Sequence, residues 1–175
     1  MNEMKQKFII IGGGAAGFFA AINTAELNPN IDVIVLEGST KVLQKVKVSG
    51  GGRCNITHAC FTPKELVEFY PRGKKELLGP FHQFMTGDTM EWFENKGVPL
   101  KIEDDNRIFP ESNSSQTIIN CFLESAKKVG VQIKTSTRVE AIKKVEDWFE
   151  VKTTSEIFKA DYLLVASGSN AKVWS

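Results

Sequence analysis

The chain has 175 residues, 42% hydrophobic and 25% charged, a balance that excludes a disordered polymer and allows a packed core. With 22 Lys and Arg against 21 Asp and Glu, the formal charge is +1 and there is no basic run, which argues against a nucleic-acid partner and an anionic membrane. Cys54, Cys60 and Cys121 are odd in number and lack CxxC spacing; with only two His they point to neither a disulfide framework nor a metal site, and they fit a reducing cytoplasm.

In chain order, Phe8–Ile11 is a short, wholly apolar run, as expected of a parallel strand buried on both faces. Ala15–Leu27 reads as a helix closed by Asn28-Pro29-Asn30, and Val33–Leu36 as a second buried strand, giving a βαβ unit. The apolar stretch from Phe8 to Ala21 is broken by Gly12-Gly13-Gly14 and followed by polar Asn23-Thr24-Ala25-Glu26, so it suits neither a secretory leader nor a membrane span. Residues from about 56 to 129 read as a helical and hairpin excursion. Thr62-Pro63-Lys64-Glu65 predicts a capping box, with a helix ending before Pro71. Asp88 is expected to cap a second helix terminated at Gly97, and Leu100–Pro110 to form a hairpin turning at Asp104-Asp105-Asn106. Asn113-Ser114-Ser115-Gln116 opens a third helix with Ile118, Ile119, Phe122, Leu123, Ala126 and Val129 on one face. Beyond Gly130 the period changes. Val131–Lys134 is a further strand, Arg138–Val145, Trp148–Thr153 and Glu156–Lys159 suggest an antiparallel meander, and Tyr162–Ala166 is one more buried strand. The fold class is therefore α/β: a Rossmann-like parallel sheet with a helical excursion and a β-meander, one domain over residues 1–175. The sequence closes on Val173-Trp174-Ser175, seven residues after Gly168, and the expectation is a fold incomplete at that end.

Gly12-x-Gly14-x-x-Gly17 follows a strand, opens a helix, and precedes Glu37 by the expected twenty residues. In that context Gly12 allows the tight turn, Gly14 admits a pyrophosphate, and Gly17 lets helix and strand pack closely. The helix start, with Ala15 and Ala16, offers oriented N–H groups and partial positive charge, and Glu37 can accept from ribose hydroxyls. An acid there disfavours a 2′-phosphate, leaving NAD and FAD. The second glycine-rich segment, Ser49-Gly50-Gly51-Gly52-Arg53-Cys54-Asn55, favours FAD: three consecutive glycines belong where side chains would obstruct a flat ring or a pyrophosphate. Arg53 can offset phosphate or reduced-flavin charge, and Asn55 can donate and accept at a ring edge.

Lys45 and Lys47 run into SGGGRCN, and Arg107-Ile108-Phe109-Pro110-Glu111-Ser112 follows later. In these segments, and over essentially its whole length, the chain resembles the BaiN-like (YhiN-like) bacterial FAD-dependent oxidoreductases. The resemblance implies that the first βαβ unit and the SGGGRCN loop hold FAD, with Lys45 among the contacts. It also implies that Val139 gives adenine a backbone contact from the strand before the meander. Ala166-Ser167-Gly168 matches an alanine-threonine-glycine signature with Ser for Thr. Gly38 stands where related proteins often carry a basic residue. Members of that family are much longer.

The expected function is the FAD-binding portion of a flavin-dependent oxidoreductase acting on a small molecule, with NAD(P)H a further partner through a missing half. The rivals are a non-catalytic truncated fragment and an NAD-binding module without flavin. No residue qualifies as a substrate acid or base. Cys54 reads as a small packed residue rather than half of a redox pair, His58 as a cap on the helix after Thr62, and His82 as a helix-surface residue. Glu103-Asp104-Asp105 reads as a solvated turn, and Trp92, Phe93, Trp148 and Phe149 as core.

Overall fold

The structure is a computed structural model that describes residues 5–168; the closing Val173-Trp174-Ser175 lies outside the described residues. The chain forms two compact units, one of Met1–Lys45 with Phe122–Ser175 and one of Val46–Cys121.

The first unit is built on a four-stranded parallel sheet. Its strands are β1 (Gln6–Ile11), β2 (Ile31–Leu36), β6 (Gln132–Lys134) and β10 (Tyr162–Val165), in the order β10-β1-β2-β6. β1 pairs with β2 from Gln6↔Ile31 to Ile11↔Leu36 and with β10 from Phe8↔Tyr162 to Ile11↔Val165. Both strands flanking β1 therefore finish level with its end. Helix α1 (Ala15–Leu27) returns the chain between β1 and β2, and its Phe18, Ala21 and Ile22 are fully buried. Phe18 meets Phe122 of helix α6 (Ser115–Lys128) with ring centroids 6.0 Å apart. An antiparallel meander of β7 (Val139–Val145), β8 (Trp148–Thr153) and β9 (Ile157–Ala160) covers sheet side chains: Ile9, Ile34 and Leu36 form one core with Val151, Phe158 and Ala160. Having one flank under helices and the other under the meander is why β1 and β2 read as continuous apolar runs. Both strands begin two residues earlier than expected, where exposed Gln6 and Lys7 are polar and Asp32 separates half-buried Ile31 from the apolar run.

The second unit holds a small antiparallel sheet, β3 (Thr57–His58), β5 (Arg107–Pro110) and β4 (Leu100–Ile102), in the order β3-β5-β4. The expected hairpin is present, with Asn106 in the left-handed region at φ 63° and its N–H donating to Glu103. Around this sheet lie α3 (Pro63–Leu66), α4 (Lys74–Phe81) and α5 (Thr86–Glu94). The Thr62 expectation is corrected: its side chain makes no capping bond, and α3 gives way after one turn to a 3-10 turn over Val67–Phe69. Asp88 is not the cap of α5 but its third residue, where its carboxylate accepts the Met85 N–H at 2.8 Å. Val98 N–H to Phe93 O and Gly97 N–H to Glu94 O close that helix, with Gly97 at φ 81°. α6 opens at Ser115, with Ser114 Oγ accepting the Gln116 N–H, and its expected face is buried at Ile118, Ile119, Phe122 and Ala126. Helix α2 (Gln44–Val48), β3 and α4 were not anticipated.

Candidate functional site

The first unit gathers most of the expected contacts at the carboxyl end of β1. Gly12 has φ 117°, and its N–H donates to Leu36 O at 2.8 Å. A side chain on Gly12 would collide with the Ala166 carbonyl, and one on Gly17 with the Gly12 carbonyl. Gly13 is hemmed in by Val42 and Glu37, and its carbonyl accepts the Leu43 N–H at 2.8 Å. The glycine turn is thus pressed between α1, β10 and the segment after β2. Gly14 differs. Its φ of −89° suits any residue, and a Cβ there would meet nothing within 4 Å. Gly14 caps α1 without a side-chain bond, and no acidic residue lies in the first turn, so the N–H groups of Ala15, Ala16 and Gly17 carry the positive helix end.

Glu37 sits one residue beyond β2. Its Oε2 accepts the Gly13 N–H and its Oε1 the Ser39 N–H, both at 2.8 Å. Burial pushes its carboxyl upward, but the N–H groups of Ser39, Gly13 and Gly38 and the Ser39 hydroxyl outweigh that and hold it below the usual carboxylate range. At the end of β10, Gly168 adopts φ 73°, and the Lys45 ammonium lies 3.4 Å from where a Gly168 side chain would begin. Ala166 N–H donates to Ile11 O, which places Ala166-Ser167-Gly168 alongside the glycine turn. Val139 opens the meander as the first residue of β7, rather than lying in the strand before it. The chain leading to it runs beside Glu37: Thr137 N–H donates to Glu37 O at 2.8 Å, and Arg138 borders Gly38.

In the second unit, Ser49–Gly52 is a 3-10 turn with Gly50, Gly51 and Gly52 at φ 56°, 68° and 88°. Gly50 is packed against Asn55 and Phe109; side chains on Gly51 and Gly52 would meet nothing within 4 Å. Arg53 does not stand free. Its guanidinium pairs with Glu103 at 2.6 Å and lies 3.9 Å over the Phe109 ring. Glu103 is accordingly a partner of Arg53 and of Lys101 rather than part of a merely solvated turn, and the Arg53 hydrogen bond lowers its pKa. Asn55, with its amide nitrogen turned inward, donates to Thr57 and Ile108 carbonyls at 2.9 and 3.2 Å. Cys54 is buried at φ 64°, its N–H donating to Ser49 O; burial raises its thiol pKa against a bond from Ser49. Cys54, Cys60 and Cys121 form no disulfide.

His58 caps no helix; it lies in β3, its ring tilted at 49° against Phe69 with centroids 4.4 Å apart. His82 is exposed at the end of α4. Of the four aromatic residues expected in the core, only Phe93 is buried. Trp92, Trp148 and Phe149 are half-buried, with Lys96, Lys159 and Lys144 over their rings. Among the described residues, no group of three His, Cys, Asp or Glu could hold a metal ion, and no helix is long and apolar enough to cross a membrane.

The sequence matches a known family over nearly all of its length: the model of the HI0933-like protein Rossmann domain matches residues 6–173. The chain belongs to that family. Its similarity to the BaiN-like and YhiN-like proteins is borne out by the relatives. The chain is 30% identical over 162 residues to 3-dehydro-bile acid delta(4,6)-reductase of Clostridium scindens, covering 93% of this chain and 39% of that protein. It is 26% identical over 164 residues to ribosomal RNA dihydrouridine synthase of Haemophilus influenzae, covering 91% and 39%. This member thus spans about two-fifths of the length of the curated relatives it matches. Two solved structures share the fold. One is 3-ketosteroid-delta4-(5alpha)-dehydrogenase from Rhodococcus jostii RHA1, with TM-score 0.66, 14% identity and coverage of 97% of this chain and 47% of that one. The other is THI4 of Thermovibrio ammonificans, with TM-score 0.63, 13% identity and coverage of 95% and 58%.

Sequence reading left Gly13, Ser39 and Arg138 out of the site. Gly13 and Ser39 act through backbone N–H groups, which no residue type announces, and Arg138 becomes visible only once the segment after β6 is placed beside Gly38.

Proposed function

We propose that this chain binds FAD as the dinucleotide-holding part of a flavin-dependent oxidoreductase. The observation that carries the reading is Gly14. Gly12, Gly13 and Gly17 are each required by neighbouring atoms of the chain, whereas Gly14 is required by none, so the space beside it suits a ligand group that approaches the backbone closely. That space adjoins the positive end of α1 and a carboxylate kept ionised by backbone N–H groups, a donor set suited to a diphosphate followed by a ribose.

In this reading Gly14 to Gly17 hold the diphosphate through main-chain N–H groups, and Glu37 accepts from the ribose hydroxyls. Lys45 and Ala166-Ser167-Gly168 flank the phosphate-binding turn, and Val139 contributes backbone at the adenine end. The open faces of Gly51 and Gly52 admit a flat ring, and the ordered Asn55 supplies its edge. When bound, FAD supplies hydride or single-electron transfer; the chain's own residues bind and orient it. The names of both relatives describe adding hydrogen to an unsaturated substrate, and that is the reaction class we assign. The charge of +1 without a basic run favours a small molecule over ribosomal RNA as the substrate.

The test compares wild type with Gly14→Ala. The variant should still fold, since no atom opposes the methyl and φ is ordinary, at a cost of about 1 kcal/mol because alanine is a poorer helix N-cap than glycine. Its FAD affinity should fall at least about tenfold, as charge-assisted N–H contacts are lost. Mass analysis of the species released by heat identifies the cofactor. Released NAD without flavin would transfer the assignment to an NAD module.

A further inference from the structure

The turn that follows Glu37 is tied to the segment leaving β6 by three main-chain bonds, each 2.8 Å long: Glu37 N–H to Lys134 O, Ser136 N–H to Ser39 O, and Thr137 N–H to Glu37 O. The next residue, Arg138, is fixed in turn by its carbonyl, which accepts the Thr154 N–H at 3.0 Å. These bonds set the Arg138 Cβ, Cα and Nε at 3.5, 3.6 and 3.6 Å from the point where a side chain on Gly38 would start. Arg138 is exposed, and among the described residues its guanidinium is paired with no carboxylate. Glu37, one residue from Gly38, takes Gly13 and Ser39 N–H groups instead.

The groups therefore follow one another along the sheet edge as the bare backbone of Gly14, then the Glu37 carboxylate, then Gly38 with the Arg138 cation against it. In the reading above, on which this step rests, the first holds diphosphate and the second ribose. A purine attached to that ribose comes next. We infer that Arg138 holds the adenine of the bound dinucleotide, laying its guanidinium plane on the purine face while Gly38 keeps the floor free of a competing side chain. A planar, weakly hydrated cation suits a π-face in a way that a point charge does not.

The experiment titrates the whole chain with ADP by calorimetry. Arg138→Ala should weaken binding about threefold to thirtyfold, the range of a cation–π contact. Its melting temperature should be unchanged, since the side chain is exposed. Arg138→Lys should recover only part of the loss, and Gly38→Arg in the Arg138→Ala background should restore binding by returning a guanidinium to the same place. Equal ADP affinity of Arg138→Ala and wild type, with Glu37→Ala weakened, overturns the inference and leaves the dinucleotide reading standing. Full recovery by Lys overturns the stacking role. Tighter binding of 2′-phospho-ADP than ADP that vanishes in Arg138→Ala also overturns it, because the cation would then serve a phosphate. If wild type binds neither ADP nor FAD, the dinucleotide reading itself fails.

Discussion

Replacing Glu37 with Gln should weaken the folded state before any ligand is added. Both carboxylate oxygens accept main-chain N–H groups at 2.8 Å, from Gly13 on one side and Ser39 on the other. An amide of the same shape offers one acceptor and one donor, so one of these N–H groups must face an N–H. The amide oxygen should stay with Gly13, which is enclosed by Val42 and Glu37, and the NH2 should turn to the exposed Ser39, where water softens the conflict. Losing one bond and the charge assistance of the other amounts to about 1–2 kcal/mol.

The pH dependence follows in sign. Glu37 is held below the usual carboxylate range in the folded chain, so the unfolded chain takes up its proton first as pH falls. Its contribution is complete above the ordinary glutamate range and is lost as pH falls through the lowered folded value. Below that value the protonated acid carries a donor just as Gln does, and the two proteins should converge. Urea unfolding followed by tryptophan fluorescence, at neutral pH and in steps into acid, measures the gap. Equal stability at neutral pH, or a gap that widens toward acid, refutes the reasoning. With ligand added, Glu37→Ala should lower FAD affinity by roughly one to two orders of magnitude, the effect of a lost charge-assisted contact to ribose.

Gly17→Ala presses a methyl onto the Gly12 carbonyl, a main-chain atom inside the glycine turn that cannot step aside. It should cost about 1–3 kcal/mol or more, read as a lower denaturation midpoint, and an unchanged midpoint would show that the turn is looser than described. Cys54 is buried with its thiol pKa raised, so at neutral pH a small alkylating reagent should label it at least about tenfold more slowly in the native chain than in urea. Equal rates would mean that the SGGGRCN turn is open.

The elements legible in the sequence were those whose signal is local and repeated. β1 and β2 are unbroken apolar runs because each is covered on its flanks, and the buried face of α6 keeps helical spacing; β10 is as apolar a run and was expected to be buried, but at the sheet edge it leaves Tyr162 and Val165 exposed. The elements that escaped depend on partners far along the chain. β3 is two residues long and exists through its register with β5, Thr57↔Ile108 and His58↔Arg107, so His58 looked like a loop residue free to cap a helix. α4 contains Gly79-Pro80, which reads as a break; the proline forfeits its own i−4 bond, the helix ends one residue later at Phe81, and Pro80 O accepts the Gln83 and Phe84 N–H groups. Thr62 and Asp88 were the right residue types for caps, but each was placed by a pattern that the chain shifts: the Thr62 hydroxyl makes no cap bond, and Asp88 reaches back to Met85 from the third helical position.

The candidate site shows the same division among residues that look alike in sequence. Three glycines of the first motif are equivalent as letters, yet two answer to carbonyls of their own chain and only Gly14 faces open space, so substitutions at the three should separate folding from binding. Arg53 looked like the natural counter-charge for a phosphate. Inside its own unit it is already engaged by Glu103 and by the face of Phe109, and an anion would have to compete with a carboxylate 2.6 Å away. In the proposed reading a diphosphate is then left to the N–H groups at the start of α1 and to the helix dipole, which no internal acid neutralises in the first turn. Arg138, which no motif marks, pairs with no carboxylate among the described residues, and it stands beside Gly38, next to Glu37. Position in the folded chain, more than residue type, decides which cation is available to a ligand.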